Sequence, residues 1–596
     1  MKTNTINAVE FGVASESPDN TLALRAALEA CAAAPSGATL RFSIGVYHFR
    51  PDHTVEKHLW ISNNDSGIRR IVFPLFGFDG LTIDGGEAEF IFHGAITPFA
   101  VIESRTLTLK NFVVDYAEPV TLTGSVAANG PRGVDLLLDP NAGYDVGADG
   151  KLTIRGDGWK TSVGGYIEVD PTTHAPLAGT GDTWLGGKPD AWESSFREIG
   201  PHQIRFKSGP NGVLKPGSQI VFLRGDRDNP CIFLSQCTDV RVEDVRVYQA
   251  TAMALIAQRC TDITVHRLRV ELRPGADRFV TATADATHFV GCRGTVRLLD
   301  CLFEGQLDDP ANIHGTYTEV LAVSDTRELV LGRMHTQQKG VPYAGAGDRL
   351  RLYSPDTMEP VAEAVVADAR EIDGDSLTVT LTDTVPAGVA EGQVVENLSW
   401  TPDVEIRGCT ARRNRARGFL ISTPGSVLIE GNTLSPGGAG ILIPGESKFW
   451  FESGAVRNVM IRNNTFIECN LGNWGLAAID ITPHIPEIAA RKAPFHRNIR
   501  VENNRFVGPR DALLAAWSVD GLTFTDNEIE WAAPSPKSRI PGDAITLRHC
   551  RDVTISGNRF IGDSRPAIVA VDARSKASLE VAPDQGFSVV EREDLA

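Results

Sequence analysis

Along much of the chain, alternating apolar and polar residues recur in one phrase: a small residue and a turn, a strand, a polar pair, and a second short strand. It reads CTDVRVEDVRV from Cys237, CTDITVHRLRV from Cys260, CRGTVRLLDCLF from Cys292 and PDVEIRGCTARRN from Pro402. It returns as SVLIEGNTL from Ser426, RNVMIRNNTF from Arg457, RNIRVENNRF from Arg497, DGLTFTDNEI from Asp520 and RDVTISGNRF from Arg551. A period of two sends successive side chains to opposite faces, so each copy predicts strands and not a helix. Cys237 and Cys260, Cys409 and Asn432, and Asn504 and Asn527 are each 23 residues apart, a length that suits one coil of a solenoid. The pattern predicts an all-β chain wound as a parallel β-helix.

Asn432, Asn464, Asn504, Asn527 and Asn558 occupy the same turn in their copies, where stacked amides bond to the amide above and below. Their expected role is structural, and the cysteines at coil starts suit small apolar positions inside. At the N-terminus, SPDNTLALRAALEACAAA predicts an amphipathic helix. Ser17, Asp19 and Asn20 are its capping candidates, and Leu22, Leu24, Ala27 and Leu28 its apolar face. Such a helix would plug the open end of the solenoid. The rhythm breaks at residues 118–225 and 316–400, where longer β-patterned segments such as DGKLTIRG and DGDSLTVTLTD predict two inserted small β-domains. The expected organisation is a cap and first coils at 1–117, an insertion at 118–225 and coils at 226–315. A second insertion at 316–400 and coils at 401–571 follow, with an acidic tail or cap at 572–596.

With 596 residues, 42% hydrophobic and 22% charged, the chain can bury a long core, and no apolar run approaches the ~18 residues of a membrane span. A formal charge of −17 and no concentrated basic stripe argue against nucleic acid as a partner. The same charge weighs against strongly anionic glycans. Nine scattered cysteines without a CxxC pair suggest neither a disulfide framework nor a zinc site. The start, MKTNTINAVEFG, has no apolar stretch of a secretory signal. The chain as written therefore reads as cytoplasmic, with extracellular or periplasmic residence open to a longer one.

Chemistry concentrates in two neighbouring coils, RPGADRFVTATADATHFVGC and LLDCLFEGQLDDPANIHG. Setting THFVG from Thr287 beside NIHG from Asn312 places Asp285 before one strand and Asp308 and Asp309 before the next. Asp285 and Asp308 are 23 residues apart, one coil. Adjacent strands lie about 4.8 Å apart, so these carboxylates share one face, and their mutual repulsion pushes a pKa upward. A carboxylic acid and a carboxylate then coexist near neutral pH. Glycoside hydrolysis uses such a pair, one group protonating the leaving oxygen and the other acting towards water or the sugar. Asx-turn capping or calcium binding are the plainer readings of any one of these acids. Convergence of three beside Asn312, His288 and His314 favours catalysis.

Further along, RARGFLISTPG brings Arg415 and Arg417 to a turn, and GESKFWFESGAV presents Trp450 and Glu452 in an excursion between coils. An aromatic face beside carboxylates suits a sugar. Core packing for Trp450, ion pairing for both arginines and a satisfied, partly buried state for both histidines stand as equal alternatives. The histidines are not a helical i, i+4 pair, so no metal site is expected from them.

The segments ATADATHFVGCRG, FEGQLDDPANIHGTY, NRARGFLISTPG, ILIPGESKFWFESGAV and IRNNTF, with HLWISNND and FDGLTIDGGEAEFIFHG upstream, resemble glycoside hydrolase family 110. These are exo-acting α-1,3-galactosidases that include blood-group-B-active enzymes. The resemblance spans roughly residues 10 to 570. It implies a right-handed β-helix with two β-barrel-like insertions and cofactor-free, inverting removal of terminal α-1,3-linked galactose. Asp285, Asp308 and Asp309 would match the family's catalytic aspartates, with Trp450 and Glu452 holding galactose. The implied partner is a galactose-terminated oligosaccharide or glycoconjugate, not a membrane, and a homo-oligomer is compatible with the solenoid's ends. Competing readings are a polygalacturonase-like hydrolase, which lacks here an Arg-x-Lys element after the Asp pair, a calcium-dependent lyase, and a non-catalytic glycan-binding solenoid.

Overall fold

The computed structural model describes residues 4–34, 37–185, 195–207, 214–472, 474–508, 512–531, 543–562, 567–583 and 586–595. Its spine is a parallel β-helix. On one face, Thr238–Val247, Thr261–His266, Arg293–Leu299, Asp403–Arg407, Ser426–Glu430, Asn458–Arg462, His496–Glu502, Val519–Thr525 and Arg551–Ser556 stack in parallel. On another, Ile232–Ser235, Leu255–Gln258, Thr287–Val290, the start of Ala311–Asp325, and Phe419–Ser422 do the same.

The alternation explains the core. Val240 and Val242 stand level with Ile263 and Val265, then Val296 and Leu298, and all are buried. Each such side chain contributes roughly 1.5–3 kcal/mol by leaving water. The amide ladder forms as the spacing predicts. Each Nδ2 of Asn432, Asn464, Asn504 and Asn527 donates to the Oδ1 of the next asparagine at 2.9–3.1 Å. Upstream the column passes to thiols: Cys409 N–H donates to Asn432 Oδ1, and Cys301 N–H to Cys409 Sγ. All nine cysteines are buried and free.

The capping helix runs over Thr21–Ala32 and buries Leu24, Ala27, Leu28 and Cys31. Leu22, expected on that face, is 58% exposed. Two residues before Leu24 it lies about 200° around the helix, on the opposite side. Asp19 Oδ1 accepts the Thr21 N–H, while Asn20, at the N-cap position, turns its Oδ1 to Ala14 N–H. At the other end the chain does not run loose: Leu579–Val581 pairs with Val553–Ile555, and Phe587–Glu591 with Ala567–Val571.

Two antiparallel units interrupt the helix. Between Thr123 and Arg224, nine strands among the described residues wrap a core of Tyr166, Phe196, Phe206 and Phe222. The second closes on itself: the end of Ala311–Asp325 pairs with Glu328–Gly332, then Ser376–Leu381, Pro360–Glu371, Arg349–Tyr353, Val394–Asn397 and the first strand again. Among the described residues no helix is long and apolar enough to cross a membrane.

Candidate active site

The strands Thr287–Val290 and Ala311–Asp325 carry the first acids into place. Their register pairs Thr287 with Ala311, His288 with Asn312 and Val290 with His314. The coil here is thus 24 residues, and Asp285 stands level with Asp309 rather than Asp308: Ala286 N–H donates to the Asp309 carbonyl at 2.9 Å. The 23-residue spacing expected from sequence is one short, and THFVG sits one residue off its expected partner. Coil length is set by the backbone ladder, not by the distance between like residues. The three carboxyls still converge, one oxygen of each lying within 4.8 Å of the others. All are buried, at 2%, 8% and 1% exposure for Asp285, Asp308 and Asp309.

Three arginines answer them. Arg227, in the loop that returns from the first insertion, donates from Nη2 to Asp308 Oδ2 at 2.7 Å, and Arg415 Nη2 stands 3.7 Å from the same oxygen. Arg417 clasps Asp309 twice, its backbone N–H to Oδ1 and its Nη2 to Oδ2, both at 2.9 Å. Asn414 secures this turn by donating to the carbonyls of Asp308 and Arg417. Burial raises the Asp308 pKa, but Arg227, Arg415 and Arg417 outweigh it and hold the carboxyl below the usual range. Asp285 is pushed well up by burial and by neighbouring Asp308. Asp309 also rises, through burial and the two other acids, against the pull of Arg417. One site therefore combines an ionised carboxylate with carboxyls of raised proton affinity.

The alternatives left open for the arginines resolve into ion pairs with acids of the site. Arg415 also pairs through Nη1 with Asp182 of the first insertion, whose Oδ2 accepts from Trp474 Nε1 at 3.2 Å. The Trp474 ring lies 4.9 Å from the Arg415 guanidinium and 5.0 Å from that of Arg417.

A second group forms where Ala311–Asp325 leaves the β-helix for the barrel. Gly315 and Thr316 pair antiparallel with Ser453 and Glu452, which delivers Glu452 to the site. Its carboxylate accepts from Asn63 at 3.1 Å and Asn312 at 3.3 Å, and Oε1 lies 3.4 Å from His314 Nε2. His288 bridges the two groups, with Nδ1 2.6 Å from Asp285 Oδ2 and Nε2 2.8 Å from His314 Nε2. Burial drives the His288 pKa down to about 4 and lowers that of His314. Both His288 nitrogens are engaged, and Arg227 and Arg417 donate to the aspartates. Trp450, itself half-buried, belongs to a separate cluster, its ring 4.6 Å from His335 and 5.3 Å from the exposed Phe449, with its carbonyl bonded by Gln338.

Sequence reasoning missed Arg227, Asn63, Asp182 and Trp474. Arg227, Asp182 and Trp474 lie outside the repeated strands, where no periodicity marks them. Asn63 stands in HLWISNND, a segment quoted for its resemblance, so a signal was there.

Comparison with known proteins bears on these features. Residues 123–220 match the family described as GLAA-B beta-barrel domain I, residues 328–395 GLAA-B beta-barrel domain II, and residues 394–581 the right handed beta helix region, which supplies the handedness. The chain is 33% identical over 594 residues to alpha-1,3-galactosidase B of Bacteroides thetaiotaomicron, covering 98% of this chain and 95% of that protein. It is 34% identical to alpha-1,3-galactosidase B of Phocaeicola vulgatus, over 88% of each chain. To alpha-1,3-galactosidase A of Shewanella woodyi it is 30% identical, over 96% of this chain and 93% of the other.

Proposed function

The chain belongs to the α-1,3-galactosidase family, glycoside hydrolase family 110, and from that premise we propose that this glycoside hydrolase removes terminal α-1,3-linked galactose from glycans, exo-acting and with inversion. The observation that carries the reading is the convergence of Asp285, Asp308 and Asp309, one with its proton affinity lowered beside others with theirs raised. That is the chemistry a glycosidic bond requires: a proton for the departing oxygen and a carboxylate towards the attacking water.

Enclosure of the acids supports exo action. The carboxyls are at most 8% exposed, with Arg227 and the Arg415–Arg417 turn bonded to them and Glu452 and Asn63 beyond, a setting better suited to a chain end than to the middle of a polymer. In this reading Asn312, Glu452 and Arg417 meet galactose hydroxyls, His314 supports Glu452 from behind, and Trp450 with Phe449 meets what lies beyond.

One observation favours a second stereochemical outcome. Carboxyl oxygens within 4.8 Å are closer than the roughly 6.5–9.5 Å of inverting pairs and nearer the roughly 5–5.5 Å of retaining ones. Under inversion, water would be held by Asp308 and Asp309 jointly, on the far side of the sugar from the proton donor. Proton NMR of the purified protein with Gal-α-1,3-Gal decides. Initial β-galactose, abolished in Asp308→Asn, is the expected result; initial α-galactose would establish retention, and no release at all would favour a binding solenoid.

A further inference from the structure

Asp65, half-buried in a loop of the N-terminal coils, grips Arg227 at both of its backbone groups. The Asp65 N–H donates to the Arg227 carbonyl at 3.0 Å, and Asp65 Oδ2 accepts the Arg227 N–H at 2.9 Å. Fixing both groups fixes the direction in which the Arg227 side chain leaves the main chain, and Nη2 then meets Asp308 Oδ2 at 2.7 Å. The second carboxylate oxygen of Asp65 is used as well: Oδ1 accepts from Gln337 Nε2 at 3.0 Å. Bonds of this kind, with an ionised acceptor, are stronger than neutral ones.

Gln337 belongs to the second barrel, in the short turn Thr336–Gln338, where its N–H donates to His335 Nδ1 at 3.2 Å. The same turn reaches the other group of the site. The Gln337 carbonyl accepts the Asn63 N–H at 2.8 Å, and Asn63 holds a left-handed φ of 56°, a conformation its short polar side chain tolerates. Ser62 Oγ donates to Asn63 Oδ1 at 2.7 Å, which orients the amide so that Nδ2 meets Glu452 Oε1 at 3.1 Å. The next residue, Gln338, donates from Nε2 to the Trp450 carbonyl at 2.7 Å.

Two consecutive glutamines of one barrel turn are thus bonded to the holder of Arg227, to the holder of Glu452 and to the loop that carries Trp450. A loop stabilised only for its own sake would close its bonds locally. Here Asp65 instead joins partners 162 and 272 residues away, one from the return of the first insertion and one from the second.

We propose that the Thr336–Gln338 turn of the second barrel is a clasp that assembles the site, and that Asp65 is the positioning residue through which it aims Arg227 at the acids. The kinetic part of the proposal rests on the galactosidase reading above. Asp65 meets no substrate in this role. It acts through Arg227, which faces Asp308, Asp285 and Asp309, while Asn63 carries the pull of the same turn to Glu452. Loss of the Asp65 carboxylate frees the Arg227 backbone, and loss of the Gln337 side chain frees Asp65 from the barrel.

The test uses the full chain with Asp65→Ala, Asp65→Asn, Gln337→Ala, Arg227→Gln and the double variant Asp65→Ala/Arg227→Gln. Each is assayed on Gal-α-1,3-Gal across pH and followed by amide hydrogen exchange. Asp65→Ala should lower kcat/KM about tenfold, mostly through kcat, and move the acidic limb of the profile in the same direction as Arg227→Gln. On the Arg227→Gln background the same change should lose less than about twofold, because a residue that acts through another adds nothing once that other is gone. Asp65→Asn should recover most of the loss: its Oδ1 can accept the Arg227 N–H while the Gln337 amide, turned over, accepts from its Nδ2. Gln337→Ala keeps the backbone bond to Asn63 and should speed exchange at residues 60–66 and 225–229 together, leaving the ladder asparagines protected. Losses that multiply in the double variant, an unmoved acidic limb in Asp65→Ala, or unchanged exchange at 225–229 in Gln337→Ala overturn the proposal. If Asp65→Ala fails to fold, exchange in Gln337→Ala decides. If the wild type releases no galactose, the galactosidase reading falls, and the same exchange result still decides the clasp.

Discussion

Asp182, in the first inserted domain, is ion-paired with Arg415 of the β-helix, 233 residues further along the chain, and Arg415 in turn stands 3.7 Å from Asp308. Both partners are buried, with side chains 7% and 6% exposed. The insertion thus acts on the site through one guanidinium, holding it where it favours the ionised form of Asp308.

Removing one member of a buried pair leaves the other charge uncompensated, at a cost of about 3–5 kcal/mol. Asp182→Asn should therefore lower the unfolding free energy measured in urea by an amount in that range and reduce kcat/KM at the same time. A variant that keeps full activity would show that Arg415 is indifferent to its partner in the insertion.

Arg227 offers a cleaner electrostatic test. The folded pKa of Asp308 is depressed, so its contribution to stability is present above the unfolded carboxyl value and lost as pH falls through the folded one. Asp285 has the opposite sign: raised, it stabilises below the unfolded value and loses that contribution as pH rises through its folded one. Arg227→Gln withdraws the nearest cation from Asp308 and should move the acidic limb of the kcat/KM profile upward by about one pH unit. An unmoved limb would mean that another group sets it.

How much of this was legible in the sequence depends on the kind of signal. The coils were readable because alternation and the ladder asparagines repeat, and Asp285, Asp308 and Asp309 because they sit on that repeat. The exact register was not, since one added residue between Asp285 and Asp309 leaves no mark on composition. Asp182, Arg227 and Trp474 are brought in by loops and by an inserted domain, whose approach is decided by tertiary packing. The His288–His314 contact spans 26 residues and becomes visible only once the ladder pairs His288 with Asn312, two positions before His314.

The loop that presents Phe449 and Trp450 is built around Glu446. Its carboxylate accepts the N–H groups of Lys448, Phe449 and Phe451, and Phe451 holds a left-handed φ of 57°. Phe449 is 64% exposed yet fixed at its backbone, the condition for stacking a sugar without first paying to order the loop. Glu446→Ala should raise KM for Gal-α-1,3-Gal about tenfold, equivalent to about 1.4 kcal/mol, and change kcat much less. A fall in kcat with unchanged KM would place this loop's effect on the reacting groups instead.

Far from the acids, the amide ladder predicts a purely structural phenotype. Asn504 Oδ1 accepts both the backbone N–H and the Nδ2 of Asn464, while its own Nδ2 donates to Ile461 O and Asn527 Oδ1. Asn504→Ala strands the Asn464 N–H and the Ile461 carbonyl in the core, each at about 1–3 kcal/mol, so urea unfolding should show a loss of about 3 kcal/mol with kcat unchanged. Asn504→Asp sharpens the test, because its carboxylate can accept but has no hydrogen to offer Ile461 O or Asn527 Oδ1. Protonation restores one donor, so relative to Asn504→Ala the Asp variant should recover stability as pH falls towards about 4. If the two variants run parallel across pH, donation along the column contributes nothing and the ladder is held by packing alone.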